Sequence, residues 1–229
     1  MLNKIGKMFN DISRRYDLLN DILSFGIHRL WLKRAVRSIP LKDNYKILDL
    51  ATGTGNFAFT FLKENPTLEV TGIDIAENML EIARYKNWKF GRKANFVVGD
   101  ATQIPYPSDT FDLVSISFGI RNVQDIKLCL YEIFRVLKPT GHFLIVEFGR
   151  PKSWFKPFYW IYQMTIIRYL GGLIGRNFSA YNYLVRTVNN FPSDKKFVEL
   201  LEKTNLFESI KYIPLTFGIA YIYTGKPKK

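Results

Sequence analysis

Apolar positions near the start of the chain recur about every 3.6 residues. Phe9, Ile12, Tyr16, Leu19, Ile22 and Leu23 share one face and predict that the first 40 residues are helical. Further on, short apolar runs alternate with helical stripes. Tyr45–Leu50 reads as a buried strand ending in a glycine-rich turn, and Asn56–Lys63 as the helix after it. Glu69–Ile73 is a second strand closing on Asp74. A helix over Ala76–Lys86 follows, with Met79, Leu80, Ile82 and Ala83 inward. Asn95–Asp100 and Phe111–Phe118 give strands three and four. Ile126–Leu137 is helical until Lys138-Pro139-Thr140-Gly141 stops it, and His142–Phe148 is strand five. Asp194–Thr204 reads as a helix, with short strands at Ser209–Ile213 and Ile219–Thr224. Such alternation predicts an α/β fold with a doubly wound, Rossmann-like, mostly parallel sheet. The last two strands are too close in sequence for a parallel crossover, so the sheet should end in an antiparallel strand.

Charge changes the picture in one region. Lys+Arg number 33 against 20 Asp+Glu, a formal charge of +13. Between Phe148 and Phe191 there is no acid, while Arg150, Lys152, Lys156, Arg168, Arg176 and Arg186 are all cationic. Trp154, Phe155, Phe158, Tyr159, Trp160, Tyr162 and Tyr169 crowd the same stretch. This is the composition of a segment that lies in a membrane interface. Its longest uncharged run, Pro157–Ile167, has 11 residues, too few for the roughly 20 that span a bilayer. An anionic membrane surface is therefore one expected partner. The plainer alternative is a subdomain packed over the core with its cations solvated.

Length and rare residues set further bounds. The 229 residues suit one domain, read as a helical cap (1–44), a cofactor-binding core (45–148), an aromatic basic insert or lid (149–192) and a C-terminal helix with a strand pair (193–229). Cys129 stands alone, which excludes an intramolecular disulfide. Within its helix it reads as core. His28 and His142 form no ligand pair, so no metal is expected. The start lacks an apolar leader run, which suggests a cytoplasmic chain. A homodimer is compatible with all of this.

The chemistry concentrates at Leu48-Asp49-Leu50-Ala51-Thr52-Gly53-Thr54-Gly55-Asn56, between a strand and a helix. Gly53 and Gly55 let backbone approach a ligand. Asp74, 21 residues after Gly53, ends the next strand, where a carboxylate can accept both hydroxyls of a ribose. A nicotinamide fold also fits the spacing Gly53-x-Gly55-x-x-Ala58. Asp49, however, would repel a pyrophosphate, and no Lys or Arg lies between Leu48 and Phe61 to offset one. Asp100-Ala101 offers a carboxylate and an adjacent N–H for an adenine edge. These features favour S-adenosyl-L-methionine, whose sulfonium and amine are cationic, and a class I S-adenosylmethionine-dependent methyltransferase fold.

More specific stretches carry a family resemblance. Tyr16-Asp17-Leu18-Leu19-Asn20 leads to Leu23-Ser24-Phe25-Gly26-Ile27-His28-Arg29-Leu30-Trp31. Arg135-Val136-Leu137-Lys138-Pro139-Thr140-Gly141 leads to Val146-Glu147-Phe148-Gly149-Arg150-Pro151. With Ser117-Phe118-Gly119-Ile120-Arg121-Asn122-Val123, Asn190-Phe191-Pro192 and Leu215-Thr216-Phe217-Gly218-Ile219-Ala220, the chain resembles the ubiquinone/menaquinone-biosynthesis C-methyltransferases over nearly its whole length. It departs at Thr52, Thr140 (usually glycine), Asn56 (usually aspartate) and Tyr223 (commonly histidine). The resemblance implies cofactor contacts at Thr54, Asp74, Asp100, Ala101 and Ser117, and C-methylation of a prenylated quinol, with demethylmenaquinol becoming menaquinol.

That reaction needs a base or a fixed positive donor beside the ring oxygen. Arg121 is the first candidate for the catalytic donor, Asn122 for orientation, and Asp100 for taking a proton through water. A structural ion pair is the plain alternative for Arg121. Tyr16, His28 and Phe118 are taken as substrate contacts. No nucleic acid is expected, because the aromatics are interleaved with Ile, Leu and Met rather than set along a basic track. The enzymatic rivals are an RNA or other small-molecule methyltransferase and a nicotinamide oxidoreductase. The non-enzymatic rival is a cofactor-binding, membrane-associated module without turnover.

Overall fold

Strand β1 (Lys46–Leu50) lies inside a seven-stranded sheet in a computed structural model that describes residues 4–162 and 178–229. Its parallel neighbours are β2 (Glu69–Asp74) and β4 (Phe111–Ser117). Outside these run β3 (Ala94–Val98), paired with β2, and β5 (Leu137–Phe148), paired with β4. The final strand, β7 (Ala220–Pro227), inserts between β5 and β6 (Phe207–Leu215) and is antiparallel to both. The order β3-β2-β1-β4-β5-β7-β6 is the doubly wound sheet with a reversed strand that the pattern predicts.

Helices cover both faces, as a parallel sheet requires. Strand residues divide between the faces with period two. Ile47, Leu113, Leu144 and Ile222 pack with Trp31, Phe57 and Phe61 on one side. Leu48, Leu50, Val114, Ile116 and Tyr223 pack with Ile133 and Phe197 on the other. The flanking helices are α1 (Lys4–Ser24), α2 (Ile27–Val36), α3 (Asn56–Glu64), α4 (Glu77–Lys89), α5 (Ile126–Val136), α6 (Lys156–Tyr162), α7 (Phe178–Asn190) and α8 (Lys195–Lys203). Met79, Leu80 and Ala83 are buried as expected, while Ile82 is only half-buried. Cys129 is fully buried in α5, and burial pushes its thiol up to about 12.

Two stretches differ from their sequence pattern. The predicted N-terminal helical region divides at Phe25 and Gly26, both left-handed with φ 49° and 72°. The apolar face of α1 is also only half-buried, because part of it faces the cleft described below. The tetrapeptide Lys138–Gly141 does not separate a helix from a strand. It belongs to β5, which begins at Leu137 opposite Phe111 and slips register before His142 meets Leu113. Lys138 Nζ, 2.8 Å from Asp112 Oδ1, fastens this irregular stretch to β4.

Across one face of the sheet runs the lateral row Phe96, Gly72, Asp49, Ser115 and Leu144. Gly72 is small because Thr52 leans over it. A Cβ there would lie 2.7 Å from Thr52 Oγ1 and 2.9 Å from Phe96. Overpacking of this kind costs about 1–3 kcal/mol. Gly72→Ala should therefore lower the urea midpoint without changing the denaturant slope, and an unshifted midpoint would show that the loop yields freely.

Candidate active site

A cleft opens at the carboxyl ends of β1, β2, β3 and β4, where open α/β sheets bind ligands. It holds about 760 Å³ of non-protein space, counting its open mouth. Gly53, Asp74, Asp100, Ala101, Ser117, Phe118 and Asn122 line it, and Tyr16 and Phe9 of α1 close it from above. Sequence reasoning had singled out every one of these except Phe9 as a site residue. Met79, Val123 and Gln124 also line the wall.

Asp74 organises the floor. Its Oδ2 accepts the Gly53 N–H at 2.8 Å and its Oδ1 the Ala76 N–H at 2.8 Å. Burial raises this carboxyl's pKa, opposed by those two amides and that of Ile75. Gly53 adopts φ +56°, and a Cβ there would project into open space. Asp100 caps its own turn, with Oδ1 accepting from Thr102 N and Oγ1, both at 2.8 Å.

Asp49 lies elsewhere than expected. It is fully buried beneath the loop, not on the cleft rim. Thr52 Oγ1 donates to its Oδ2 at 2.6 Å and Ser115 Oγ to its Oδ1 at 2.7 Å. Alternation along β1 turns this side chain into the sheet-facing layer, and burial pushes its carboxyl up to about 7. The departure Thr52 is thus a hydrogen-bond donor to this acid. Gly55 is also off the wall. It precedes α3, where a Cβ would meet the Phe59 and Phe96 rings at 2.8 and 3.0 Å.

Thr54 is buried and faces α1, where its Oγ1 donates to Asp17 Oδ1 at 2.6 Å. Asn56 Nδ2 donates to the same oxygen at 2.9 Å, and Lys86 forms an ion pair with Asp17. Lys86 also donates to Thr54 O and Asn56 Oδ1, each at 3.1 Å. An aspartate at 56 would set a second carboxylate against Asp17, whereas Asn56 both donates and accepts. Burial opposes the Asp17 charge, yet Lys86 and the two donors bring its pKa below the usual range. Asp17 sits in a stretch quoted for its resemblance, but its role was not assigned from sequence.

Arg121, in a single 3-10 turn (Ile120–Asn122), does not line the cleft. Its Nη1 lies 2.5 Å from Glu147 Oε1 and donates to Phe118 O at 2.5 Å. Its guanidinium stands 5.1 Å from the Phe148 ring centroid, and its buried Nε has no hydrogen-bond partner among the described residues. Glu147, fully buried, is the partner that sequence reasoning did not name. Burial lifts its carboxyl, opposed by Arg121. The positive charge of Arg121 also reaches Tyr16 and Tyr183, lowering phenol pKa values that burial raises. Tyr183 Oη donates to Asn122 Oδ1 at 3.1 Å, so α7 holds the cleft-facing Asn122 in place.

His28 is buried between α1 and α2, away from the cleft lining. Its Nδ1 is 2.6 Å from Ser24 Oγ and its Nε2 is 3.8 Å from Asp21. Burial lowers its pKa. This geometry joins two helices. Among the described residues, no group of three or more His, Cys, Asp or Glu is placed to hold a metal ion.

Among the described residues, the cleft lining contains Asp74 and Asp100 and no lysine or arginine. A diphosphate would find no cation there, while a ribose diol, an adenine edge and a sulfonium are matched by carboxylates and amides. Fold and cleft define a class I methyltransferase. Residues 2–227 match the ubiE/COQ5 methyltransferase family, and the chain belongs to it. A demethylmenaquinone methyltransferase of Thermus thermophilus is 42% identical over 219 residues, spanning 95% of this chain and 99% of its own. A mitochondrial 2-methoxy-6-polyprenyl-1,4-benzoquinol methylase of Caenorhabditis elegans is 37% identical over 231 residues, 99% of this chain and 81% of its own. The crystal structure of a SAM-dependent methyltransferase from Thermotoga maritima superposes with a TM-score of 0.69 at 20% identity, covering 98% of this chain and 100% of that one.

Two outcomes test this electrostatic layout. The raised Asp49 pKa means the folded state keeps a proton that the unfolded chain releases. Its stabilising contribution is full below about pH 4 and lost as pH rises towards 7, at up to about 1.4 kcal/mol per pH unit. Asp49→Asn should gain stability relative to the parent across that window in urea titrations at several pH values; parallel curves would show an acid ionised throughout. Arg121→Ala leaves Glu147 buried without its ion pair and should cost about 3–5 kcal/mol. Adding Glu147→Gln should recover part of that loss, and strict additivity in the double-mutant cycle would refute the coupling.

Proposed function

We propose that the chain transfers a methyl group from S-adenosyl-L-methionine to a ring carbon of a prenylated hydroquinone, most specifically demethylmenaquinol to give menaquinol. One observation carries the cofactor half of this reading: among the described residues, the cleft lining presents Asp74 and Asp100 and no basic side chain. Membership of the ubiE/COQ5 family supports the rest, as do relatives named for demethylmenaquinone and polyprenyl-benzoquinol substrates. When bound, the cofactor supplies an electrophilic methyl group on a positively charged sulfur.

The chain's own residues account for the remaining work. Asp74 is placed to accept from ribose hydroxyls, with its carboxylate held in orientation by Gly53 and Ala76. Asp100 and the Ala101 N–H suit the adenine edge. Ser117 and Phe118 form the wall towards the methyl acceptor. A phenol ionises near pH 10 in water, and its anion pushes charge onto the ortho carbon that attacks. Arg121, within electrostatic reach of Tyr16 and Tyr183, lowers the cost of that anion. Asn122, held by Tyr183, orients the ring oxygen, and Asp100 receives the phenolic proton through water. As the carbon–methyl bond forms, the methyl–sulfur bond would break to leave a neutral thioether, and the ring carbon loses its hydrogen as a proton to water to restore aromaticity. Excluding water and fixing the attack line are the cleft's contribution to rate.

A prenyl tail calls for an apolar route, and the reading includes a protein peripheral to the inner face of a membrane. No described helix is long and apolar enough to cross one. The sequence-based lid, Trp154 to Gly175, falls partly on residues 163–177, outside the described set.

Labelled S-adenosylmethionine incubated with reduced demethylmenaquinone, and separately with a demethylated ubiquinone precursor, tests the assignment. Label should enter the quinol. Asp74→Ala should weaken cofactor binding at least about tenfold in calorimetry, the loss of a charged hydrogen-bond acceptor. Tight NADH uptake with no response to S-adenosylmethionine would refute the reading.

A further inference from the structure

Five Phe-Gly dipeptides occur in the chain, and in three the phenylalanine is left-handed: Phe25 (φ 49°), Phe118 (φ 53°) and Phe217 (φ 57°). A bulky residue in that region is an outlier that the surrounding structure must hold. Phe118 is accounted for, since it lines the cleft and its ring packs on Trp31 and Phe148. Phe25 and Phe217 are not, for burial does not offset their strain. Phe25 is 67% exposed and Phe217 50% exposed. Phe25 occupies a helix-end position that glycine normally takes, with Gly26 left-handed beside it. Phe217 sits between Thr216 (φ 38°) and Gly218 (φ 89°), three consecutive positive-φ residues.

Both rings meet the same short helix and its approach. Phe25 lies 6.0 Å from Tyr162 at one end of α6, while Phe217 lies 4.9 Å from Trp154 and 5.0 Å from Phe155 at the other. Trp154 and Phe158 are 58% and 64% exposed, so the result is one displayed aromatic face. Around α6 its charge is one-sided. Exposed Lys152 and Lys156 interleave with the rings, Lys152 N–H donates to Phe217 O at 2.9 Å, and residues 149–193 contain no acid. The face also connects to the cleft. Phe118 packs on Trp31 at 6.2 Å, and Trp31 Nε1 donates to Thr216 Oγ1 at 2.8 Å, next to Phe217.

We infer that Phe25, Phe217, Trp154 and Phe158 form a docking surface for an anionic lipid bilayer, with the two phenylalanines held in strained backbone to aim their rings at it. Exposed apolar rings beside Lys152 and Lys156, with Asp21 near Phe25 paired to Arg29, match an interfacial surface rather than a protein partner of mixed charge. The docking surface deepens the membrane-peripheral part of the proposed function and rests on it, as the cleft connection rests on the prenylated substrate.

Vesicle sedimentation tests it, using phosphatidylcholine with and without phosphatidylglycerol. The parent should bind the anionic vesicles and lose them as salt rises. Phe25→Asn with Phe217→Asn should bind about tenfold more weakly, from lost apolar burial. The same variant should melt no lower than the parent, because asparagine accepts the left-handed conformation. A merely structural role would instead lower the melting temperature. Trp88→Asn is the control. Trp88 is 78% exposed near Lys86 and Lys89 on α4, without left-handed backbone, and its variant should bind normally. Equal binding by the phenylalanine variant, loss in the Trp88 variant instead, or no parent binding to anionic vesicles would overturn the proposal. So would concentration-dependent dimerisation abolished by the two asparagines, which would assign the face to a second copy. Methyl transfer to a tail-less quinol should be unchanged in the phenylalanine variant. Its absence in the parent would instead count against the quinol reading and leave the vesicle result standing.

Discussion

The cleft depends on one buried acid. Asp49 lies within the lateral row of the sheet, flanked by Gly72 and Ser115 on the neighbouring strands. A carboxyl there is costly unless satisfied. Thr52 and Ser115 satisfy it, and in doing so they tie the loop after β1 to both β1 and β4. The loop then has little freedom, so Gly53 meets Asp74 with its N–H already aimed. The floor of the cleft is therefore a consequence of hydrogen bonding beneath it.

A second set of polar contacts closes the cleft from the N-terminal side. Asp17 gathers Thr54, Asn56 and Lys86 onto α1, which brings Tyr16 and Phe9 over the opening. On the opposite wall Tyr183 fixes Asn122, and behind that wall Glu147 fixes Arg121. In each case a residue behind the wall orients one nearer the chemistry. Precise geometry of this kind needs a supporting shell as much as the reacting groups themselves.

Phenylalanine in left-handed backbone recurs at the points where the chain turns from a structural element towards the ligand side. Phe118 lines the cleft with its ring packed on Trp31 and Phe148, while at Phe25 and Phe217 the ring ends on the surface. The shared glycine that follows each one gives the turn room. The backbone strain is local, while Trp31 links the interior ring to the outer pair through packing and one hydrogen bond.

Much of this was legible in the sequence. Strand and helix alternation, the reversed end of the sheet, the glycine loop and Asp74 are local patterns, because apolar period and turn chemistry are local. The charge argument for the cofactor also came from sequence, although Asp49 proved to lie under the cleft instead of on its rim. The positions that hold the site could not be read in the same way. Asp17 reaches Thr54 across 37 residues, Arg121 reaches Glu147 across 26, and Tyr183 reaches Asn122 across 61. Nor does a Phe-Gly pair declare whether its ring is buried, lines a cavity or faces water. The sequence by itself determined which elements form and which end of the sheet takes a ligand. Only the tertiary structure decided which charges meet, because pairing between distant residues depends on how the helices pack onto the sheet rather than on any spacing along the chain.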